Sequence, residues 1–172
     1  MNLQNNRLKK LMVAAMFGAI ICVVTMVVKL PLPIGGYVHL GDAFIIIAGL
    51  ALGGIYGGAA AGIGSMLADI FSGYANYAIP TFLIKFLMAA SVWAIYKLLG
   101  GKNPLAAKII GGISAELIMT LGYFACDWIF YGSGAIVNLF MYLLKGGVNI
   151  AAAFVLLPAF VKIGLVSGRR KI

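Results

Sequence analysis

The sequence predicts an all-α integral membrane protein with six transmembrane helices and with both termini in the cytoplasm. Hydrophobic residues make up 63% of the 172 residues and charged residues only 10%, and the mean hydropathy is +1.08. A soluble domain of this length could not bury so much apolar surface, so we expect lipid to be its main solvent. No linker or repeat divides the chain, and we expect residues 1–172 to form a single transmembrane domain.

The net charge of +9 is concentrated at the ends of the apolar segments. Basic residues precede the first apolar run, surround a central break and close the chain. They are Arg7, Lys9, Lys10, Lys97, Lys102, Lys108, Arg169, Arg170 and Lys171. This is the pattern of cytoplasmic loops in membrane proteins. It places both termini on the same side, requires an even number of spans, and argues against nucleic acid as a partner.

The first span covers residues 11–28, which is long enough to cross a bilayer. Its first half contains small residues four positions apart, Ala14 with Gly18 and Ala15 with Ala19. Such spacing lets a second helix approach closely. The face predicted to contact a partner protein consists of Met12, Ala15, Met16 and Ala19. The alternative is that this face packs against helices of the same chain.

Residues 30–38 contain Pro31, Pro33 and Gly35, so we expect an irregular outer loop. The second span, residues 40–52, is short, which suggests that it is tilted or begins partly buried. The third span covers residues 55–72. The ridge Gly54-x-x-x-Gly58-x-x-x-Gly62 predicts close packing of the second span on the third.

The fourth span covers residues 77–98, with Pro80 in the first turn, where it is tolerated. A glycine-containing break at residues 100–104 precedes the fifth span, residues 105–130. The turn at 131–134 then leads to the sixth span, residues 137–157. We expect this last helix to extend to residue 165 and to be loosened at Pro158.

Three consecutive spans carry polar side chains at helical spacing in otherwise apolar sequence. These stripes are Tyr77, Thr81 and Lys85; then Glu116, Thr120, Tyr123 and Asp127; then Asn138, Tyr142, Lys145 and Asn149. Members of each stripe share one helix face. Polar and charged groups inside a membrane are costly and indicate function. We therefore expect the stripes to surround a wet pocket that opens to the outside.

Residues near the outer ends of the spans complete this predicted pocket. The predicted substrate-binding residues are Tyr37, His39, Asp42, Tyr74, Asn76, Tyr77, Thr81, Lys85, Tyr123, Asp127, Trp128, Asn138, Tyr142, Lys145 and Asn149. Aromatic residues among them suit a small planar polar molecule. An alternative is that Lys85 and Lys145 only pair with Asp42, Asp69 or Asp127 to hold the helices together.

The sequence offers no catalytic or metal-binding pattern. It has one histidine and two cysteines, and GIYGGAAAGIGS lacks the Gly-Lys-Ser/Thr of a nucleotide-binding loop. We therefore predict no metal, no cofactor and no enzymatic activity. A stand-alone secondary transporter or channel would need a polar path to the cytoplasm, for which only Glu116 is a candidate. A membrane enzyme would have to use Asp69, Asp127 or His39.

Three stretches of the sequence carry a resemblance to a known family. They are LMVAAMFGAI in the first span, VHLGDAFIIIAGLALGGIYGGAAAGIGSMLADIFSGY with its Leu-Gly-Asp and Ala-Asp elements, and PTFLIKFLMA in the fourth span. Over nearly its whole length the chain resembles the S components of energy-coupling factor (ECF) transporters, which capture vitamins in prokaryotic plasma membranes.

The resemblance implies a six-helix fold with a substrate pocket near the outer surface. It also implies docking through the Ala15–Ala19 face onto a membrane T component that is driven by two ATPases. Relatives serve riboflavin, thiamin precursors, pyridoxine, folate or queuosine-type bases. The aromatic residues, two lysines and several acids of this pocket favour a small polar heterocycle, such as pyridoxine or a pyrimidine precursor of thiamin.

Overall fold

The structure is a computed structural model that describes residues 7–33 and 37–166. These residues form six α-helices, two short strands and two single turns of 3₁₀ helix. The helices are α1 (Arg7–Val27), α2 (Gly41–Leu52), α3 (Gly54–Phe71), α4 (Ala78–Leu99), α5 (Pro104–Tyr131) and α6 (Ala135–Lys162); the strands are β1 (Lys29–Pro31) and β2 (Tyr37–His39); the 3₁₀ turns are Ala75–Tyr77 and Gly132–Gly134. Each predicted span corresponds to one helix. Gly35 and the basic residues Arg169, Arg170 and Lys171 lie outside the described residues.

Helix α2 is the centre of the bundle. Apart from Asp42 in its first turn it is apolar on all sides, and α1, α3, α4 and α6 pack around it, as expected for a helix without a polar face. Even its first two residues, Gly41 and Asp42, are buried, in agreement with the predicted buried start. Its length of about 18 Å is well short of the roughly 30 Å hydrocarbon core of a bilayer.

The segment before α2 differs from the prediction. We expected an irregular loop, but β1 and β2 form an antiparallel hairpin in which Lys29 pairs with His39 and Pro31 with Tyr37. Proline is compatible with this arrangement because each strand of a two-stranded ribbon is an edge strand. The hairpin fixes Tyr37 and His39 beside the N-terminus of α2.

The glycine ridge of α3 packs against a different helix from the one predicted. A Cβ at Gly58 or Gly62 would lie 2.8 Å from a phenylalanine ring of α4, so the ridge faces α4. The close approach to α2 is made by Gly57, where a Cβ would lie 2.8 Å from the carbonyl oxygen of Ala48. Helical spacing indicates which glycines share a face, but it does not indicate which neighbour that face meets.

The two small-residue faces of α1 have different environments. Gly18 packs against α3, where a Cβ at Gly64 would clash with the carbonyl oxygen of Gly18 and a Cβ at Gly18 would lie 3.4 Å from the carbonyl oxygen of Ala60. Ala15 and Ala19, by contrast, are exposed on the described surface. The first face thus packs inside the chain, and the second is available for another helix.

The predicted extension of α6 to residue 165 was wrong. The helix continues through Pro158 and ends at Lys162, after which Gly164 adopts a positive φ of 76°. Glycine reaches this left-handed conformation at little cost and is common just beyond helix ends.

Four stretches of the described chain are long and apolar enough to cross a membrane. They are Arg7–Val27, Gly54–Phe71, Ala75–Leu99 and Pro104–Lys162, the last of which contains both α5 and α6. The helical, apolar architecture agrees with the prediction. Six crossings and cytoplasmic termini stay predictions, because α2 is shorter than the other helices.

Candidate ligand-binding site

Three buried charges meet where α2 begins, between α4 and α6. The carboxylate of Asp42 lies 2.6 Å from the Nζ atom of Lys85 and 2.7 Å from the Nζ atom of Lys145. Isolated buried ions cost several kcal/mol each, so such charges require partners. Two positive charges and one negative charge leave this cluster with a net charge of +1.

The Leu-Gly-Asp element has a physical explanation in this cluster. The backbone N–H of Gly41 donates a hydrogen bond to Nδ1 of His39 at 3.0 Å. A Cβ at position 41 would lie 2.9 Å from that nitrogen and closer still to the hydroxyl of Thr25. Glycine therefore lets the imidazole approach the backbone, and the next residue, Asp42, receives the two lysines.

Asn149 ties α6 to the start of α2. Its side-chain oxygen accepts a hydrogen bond from the backbone N–H of Ala43 at 3.1 Å. Its amide nitrogen donates to the carbonyl oxygens of His39 and Lys145 at 3.0 and 3.1 Å. These contacts hold the hairpin and Lys145 in register with Asp42.

A second buried carboxylate, that of Asp127 in α5, has a different set of partners. It accepts hydrogen bonds from the hydroxyl groups of Tyr77 at 2.6 Å and Tyr142 at 2.7 Å, and from the amide of Asn138 at 2.8 Å. Both Asp127 and Asn138 are fully buried. The network joins the 3₁₀ turn before α4 to α5 and α6, and it fixes the orientation of two tyrosine rings.

The third carboxylate, that of Asp69 at the end of α3, has one oxygen that is not used. Its Oδ1 atom accepts a 2.7 Å hydrogen bond from the hydroxyl of Tyr37. Its Oδ2 atom is buried and receives no hydrogen bond from the residues that the structure describes. Burial raises the pKa of Tyr37, and the charge of Asp69 raises it further. The Tyr37 hydroxyl therefore remains a donor at neutral pH.

These groups surround one cavity of about 20 Å³. It is lined by Tyr37, His39, Asp69, Tyr74, Tyr77, Tyr123, Tyr142 and Lys145. The rings of Tyr37 and Tyr74 pack with their centroids 5.0 Å apart. A volume of this size has room for about one water molecule, so the site as it stands is too small for a vitamin. The lining combines aromatic faces with a carboxylate, an imidazole and an ammonium group.

Sequence reasoning found most of this lining. Seven predicted binding residues border the cavity, namely Tyr37, His39, Tyr74, Tyr77, Tyr123, Tyr142 and Lys145. Asp69 is absent from the predicted binding residues, because the sequence suggests it only as a partner for a lysine or as the acid or base of a membrane enzyme. Its position at the same end of the bundle as the other outer charges was the signal that could have identified it.

The other predicted binding residues do not border this cavity. Asp42, Thr81, Lys85, Asp127, Asn138 and Asn149 are buried behind the lining. Thr81, for example, hydrogen-bonds the hydroxyl of Tyr123 at 2.9 Å. Asn76 is exposed, and Trp128, which is 49% exposed, packs against Phe124. Direct ligand contact by these residues stays a prediction.

A separate apolar groove of about 600 Å³ lies between α1 and α3. Its lining includes Ala15 and Ala19 of the predicted partner face, together with Tyr56 and Ile63 of α3. Met12 and Met16 are exposed on the same helix, at 64% and 41%. All four residues predicted to contact a partner are therefore accessible.

Comparisons with known proteins give one family, from a family model, and one fold, from a solved structure. Residues 5–162 match the family model described as "ECF-type riboflavin transporter, S component". An "uncharacterized protein in gap 3′ region" from Pyrococcus woesei is 33% identical over 118 residues, which cover 68% of this chain and 77% of that protein. A solved structure described as "Structure and mechanism of the S component of a bacterial ECF transporter" has a similar fold, with a TM-score of 0.72. The match covers 92% of this chain and 98% of the other chain, and the two are 22% identical in sequence.

Proposed function

The chain belongs to the family of ECF-type riboflavin transporter S components, and on this premise we propose that it captures a water-soluble heterocyclic vitamin in the tyrosine-lined cavity. S components bind the substrate of a transporter and are not a family of enzymes. The apolar helices indicate a multi-pass membrane protein, which we place in a prokaryotic plasma membrane with six crossings. The observation that carries the proposal is the cavity itself, with five tyrosines around three ionisable or polar groups.

The lining favours a planar ligand with both donor and acceptor groups. Tyrosine rings offer faces on which a flat heterocycle can stack. The free Oδ2 atom of Asp69 requires a donor, and the ammonium of Lys145 requires an acceptor. Riboflavin, after which the family is described, carries a ring with an imide N–H and two carbonyl oxygens. We propose it as the first candidate, with pyridoxine and the pyrimidine precursor of thiamin as the smaller alternatives.

Ligand entry requires the cavity to open. A vitamin is many times larger than the present 20 Å³. The rings of Tyr37 and Tyr74, which pack against each other at a tilt of 48°, belong to the hairpin and to the loop after α3. Outward movement of these two segments enlarges the cavity without separating the buried ion pairs of Asp42. We therefore assign the closing role to the hairpin side of the site.

Isothermal titration of the purified chain in detergent against riboflavin, pyridoxine and the thiamin precursor tests this function. All lining residues come from one chain, so we expect one vitamin to bind without any partner protein. The expected dissociation constant is about 1 μM or below, which corresponds to a binding free energy of roughly −8 kcal/mol or stronger. Mass spectrometry of small molecules retained during purification is an independent check. Absence of binding for all three vitamins, with no retained heterocycle, would contradict the proposal.

We propose that the groove between α1 and α3 binds the T component, which two ATPases drive. Small exposed residues allow close helix approach, and close packing is a main source of helix association in lipid. Ala15→Trp or Ala19→Trp should therefore prevent co-purification of the T component and ATP-dependent uptake, while vitamin affinity stays near that of the wild type. Leu121→Trp, at a position 64% exposed on α5, is the matched control. Normal assembly of the alanine variants, or loss of their vitamin binding, would refute this assignment.

A further inference from the structure

The hydrogen bonds of His39 determine which of its ring nitrogens carries the proton. The backbone N–H of Gly41 points at Nδ1 from 3.0 Å, and a backbone N–H can only donate. Nδ1 must therefore offer its lone pair. Burial lowers the pKa of His39 well below its usual value, and the charge of Lys145 adds to this effect. The ring is thus neutral, with its single proton on Nε2.

That proton meets a second donor rather than an acceptor. Nε2 of His39 lies 3.4 Å from Nζ of Lys145, and an ammonium group has no lone pair to offer. Among the described residues, the ion pair of Lys145 is with Asp42, which accounts for one of its three N–H bonds. Both side chains are more than nine-tenths buried and both border the cavity. The ring of Tyr123, whose centroid lies 5.8 Å from Nζ, is a further neighbour of the ammonium group. Buried donors without an acceptor are unfavourable, so the Nε2–H group of His39 and the remaining N–H bonds of Lys145 still need an acceptor oxygen or nitrogen.

We propose that the Nε2–H group of His39 and the ammonium of Lys145 together bind one oxygen atom of the substrate, and that this donor pair makes the site selective for heterocycles with a carbonyl or anionic oxygen. The inference rests on the proposed function of the cavity and specifies its substrate class. The net positive charge of the Asp42 cluster favours an oxygen with high negative charge density. An aminopyrimidine whose ring bears no oxygen leaves both donors unsatisfied.

The chain contains a single histidine, so nitrogen NMR of histidine-labelled, tag-free protein reports on this ring alone. In the free protein we expect an unprotonated Nδ1 and a protonated Nε2. Saturation with riboflavin, or with pyridoxine if riboflavin does not bind, should shift the Nε2-bound proton downfield and leave Nδ1 unprotonated. A protonated Nδ1, or an Nε2–H signal that is the same with and without bound vitamin, would overturn the inference.

Two variants separate hydrogen bonding to the vitamin from support of the fold. His39→Asn can still accept from Gly41 but has no donor at the position of Nε2, so affinity for the same vitamin should fall ~10-fold to 100-fold. His39→Gln places an amide nitrogen near the position of Nε2 and should recover most of that loss. Equal affinity of wild type and His39→Asn would refute the donor pair while leaving the proposed function intact. A wild type that binds only the pyrimidine precursor of thiamin would also refute the donor pair, whereas a wild type that binds none of the three vitamins would instead refute the proposed function.

Discussion

Asp42 and Asp127 are both fully buried, but their carboxylates are stabilised by different kinds of partner. Asp42 is paired with two ammonium groups, so its surroundings carry more positive than negative charge. Asp127 receives hydrogen bonds from two phenols and one amide, and no ion pair to it occurs among the described residues. The same residue type thus supports two different kinds of polar network in one membrane bundle.

The difference indicates a division of labour within the site. The Asp42 cluster holds a positive charge at the cavity through Lys145, and an incoming acceptor can use that charge. The Asp127 network instead fixes Tyr77 and Tyr142, two rings of the cavity wall. One carboxylate therefore supports electrostatic recognition, and the other supports the shape of the wall.

The most disruptive test of this comparison is Asp42→Asn. The substitution keeps the side-chain shape but leaves Lys85 and Lys145 buried without an anion, which should cost ~3–5 kcal/mol of unfolding free energy. Asp127→Asn is the matched variant and should cost about 1–3 kcal/mol, because it disturbs hydrogen bonds without isolating a charge. Denaturant titration in detergent measures both. Equal losses for the two variants would remove the distinction between the networks.

The two lysines provide a second test, since they share one carboxylate but differ in access to the cavity. The sequence predicts weaker vitamin binding when either lysine is removed. The structure leads to different predictions for the two lysines, because Lys145 borders the cavity and Lys85 does not. Lys145→Met should weaken vitamin binding by roughly 2–5 kcal/mol. Lys85→Met should mainly lower the unfolding free energy. Affinity and thermal midpoint, measured on each variant, separate these outcomes, and an equal loss of affinity would show direct binding by both.

The fold was largely predictable because helical periodicity and apolar length are local properties. The boundaries of α5, for example, follow from the break before Pro104 and from Gly132 after its end. The start of α1 does not follow in this way, because the helix includes the basic residues at 7–10 that were predicted to precede the span. The hairpin was not predictable in this way, since Pro31 argues against a strand unless the edge position of that strand is known. The packing of Gly58 on α4 rather than α2 likewise depends on a rotation about the axis of α3 that no local pattern encodes.

The site was predictable to the level of helix faces. The stripes on α4, α5 and α6 do converge, because residues spaced by three or four positions point in one direction. Which members reach the cavity depends on depth and on partners from other elements. Both carboxylate oxygens of Asp127 accept hydrogen bonds, and the residue lies behind the wall. Asp69 borders the cavity, and its Oδ2 atom receives no hydrogen bond of acceptable geometry from the described residues.

A third test uses pH, because His39, which lies beside the Asp42 cluster, has an ordinary pKa near neutrality. The pKa of His39 is lowered by burial and by Lys145 and Lys85, and Asp42 opposes this only in part. In the unfolded chain the imidazole has a pKa of about 6.5, so above this pH the ring is neutral in both the folded and the unfolded protein. Below it, only the unfolded chain gains the proton, so stability should fall by up to ~1.4 kcal/mol per pH unit. The measurement is the unfolding free energy against pH for wild type and for His39→Gln, and the difference between the two slopes is the contribution of His39. No difference below pH 6.5 would mean that the histidine is protonated in the folded protein as well.

The smallest effect is expected from removing one neutral donor from Asp127. Tyr142→Phe deletes a hydroxyl that donates at 2.7 Å, while Tyr77 and Asn138 still donate to the carboxylate. Because two of three hydrogen bonds remain and no charge is isolated, the unfolding free energy should fall by only ~0.5–1.5 kcal/mol. The ring that borders the cavity is retained, so vitamin affinity should change less than threefold, about 0.6 kcal/mol. A loss as large as that of Asp42→Asn would mean that the phenols hold Asp127 as strongly as the lysines hold Asp42. In that case the neutral network, and not the charged cluster, would be the main polar support of the bundle.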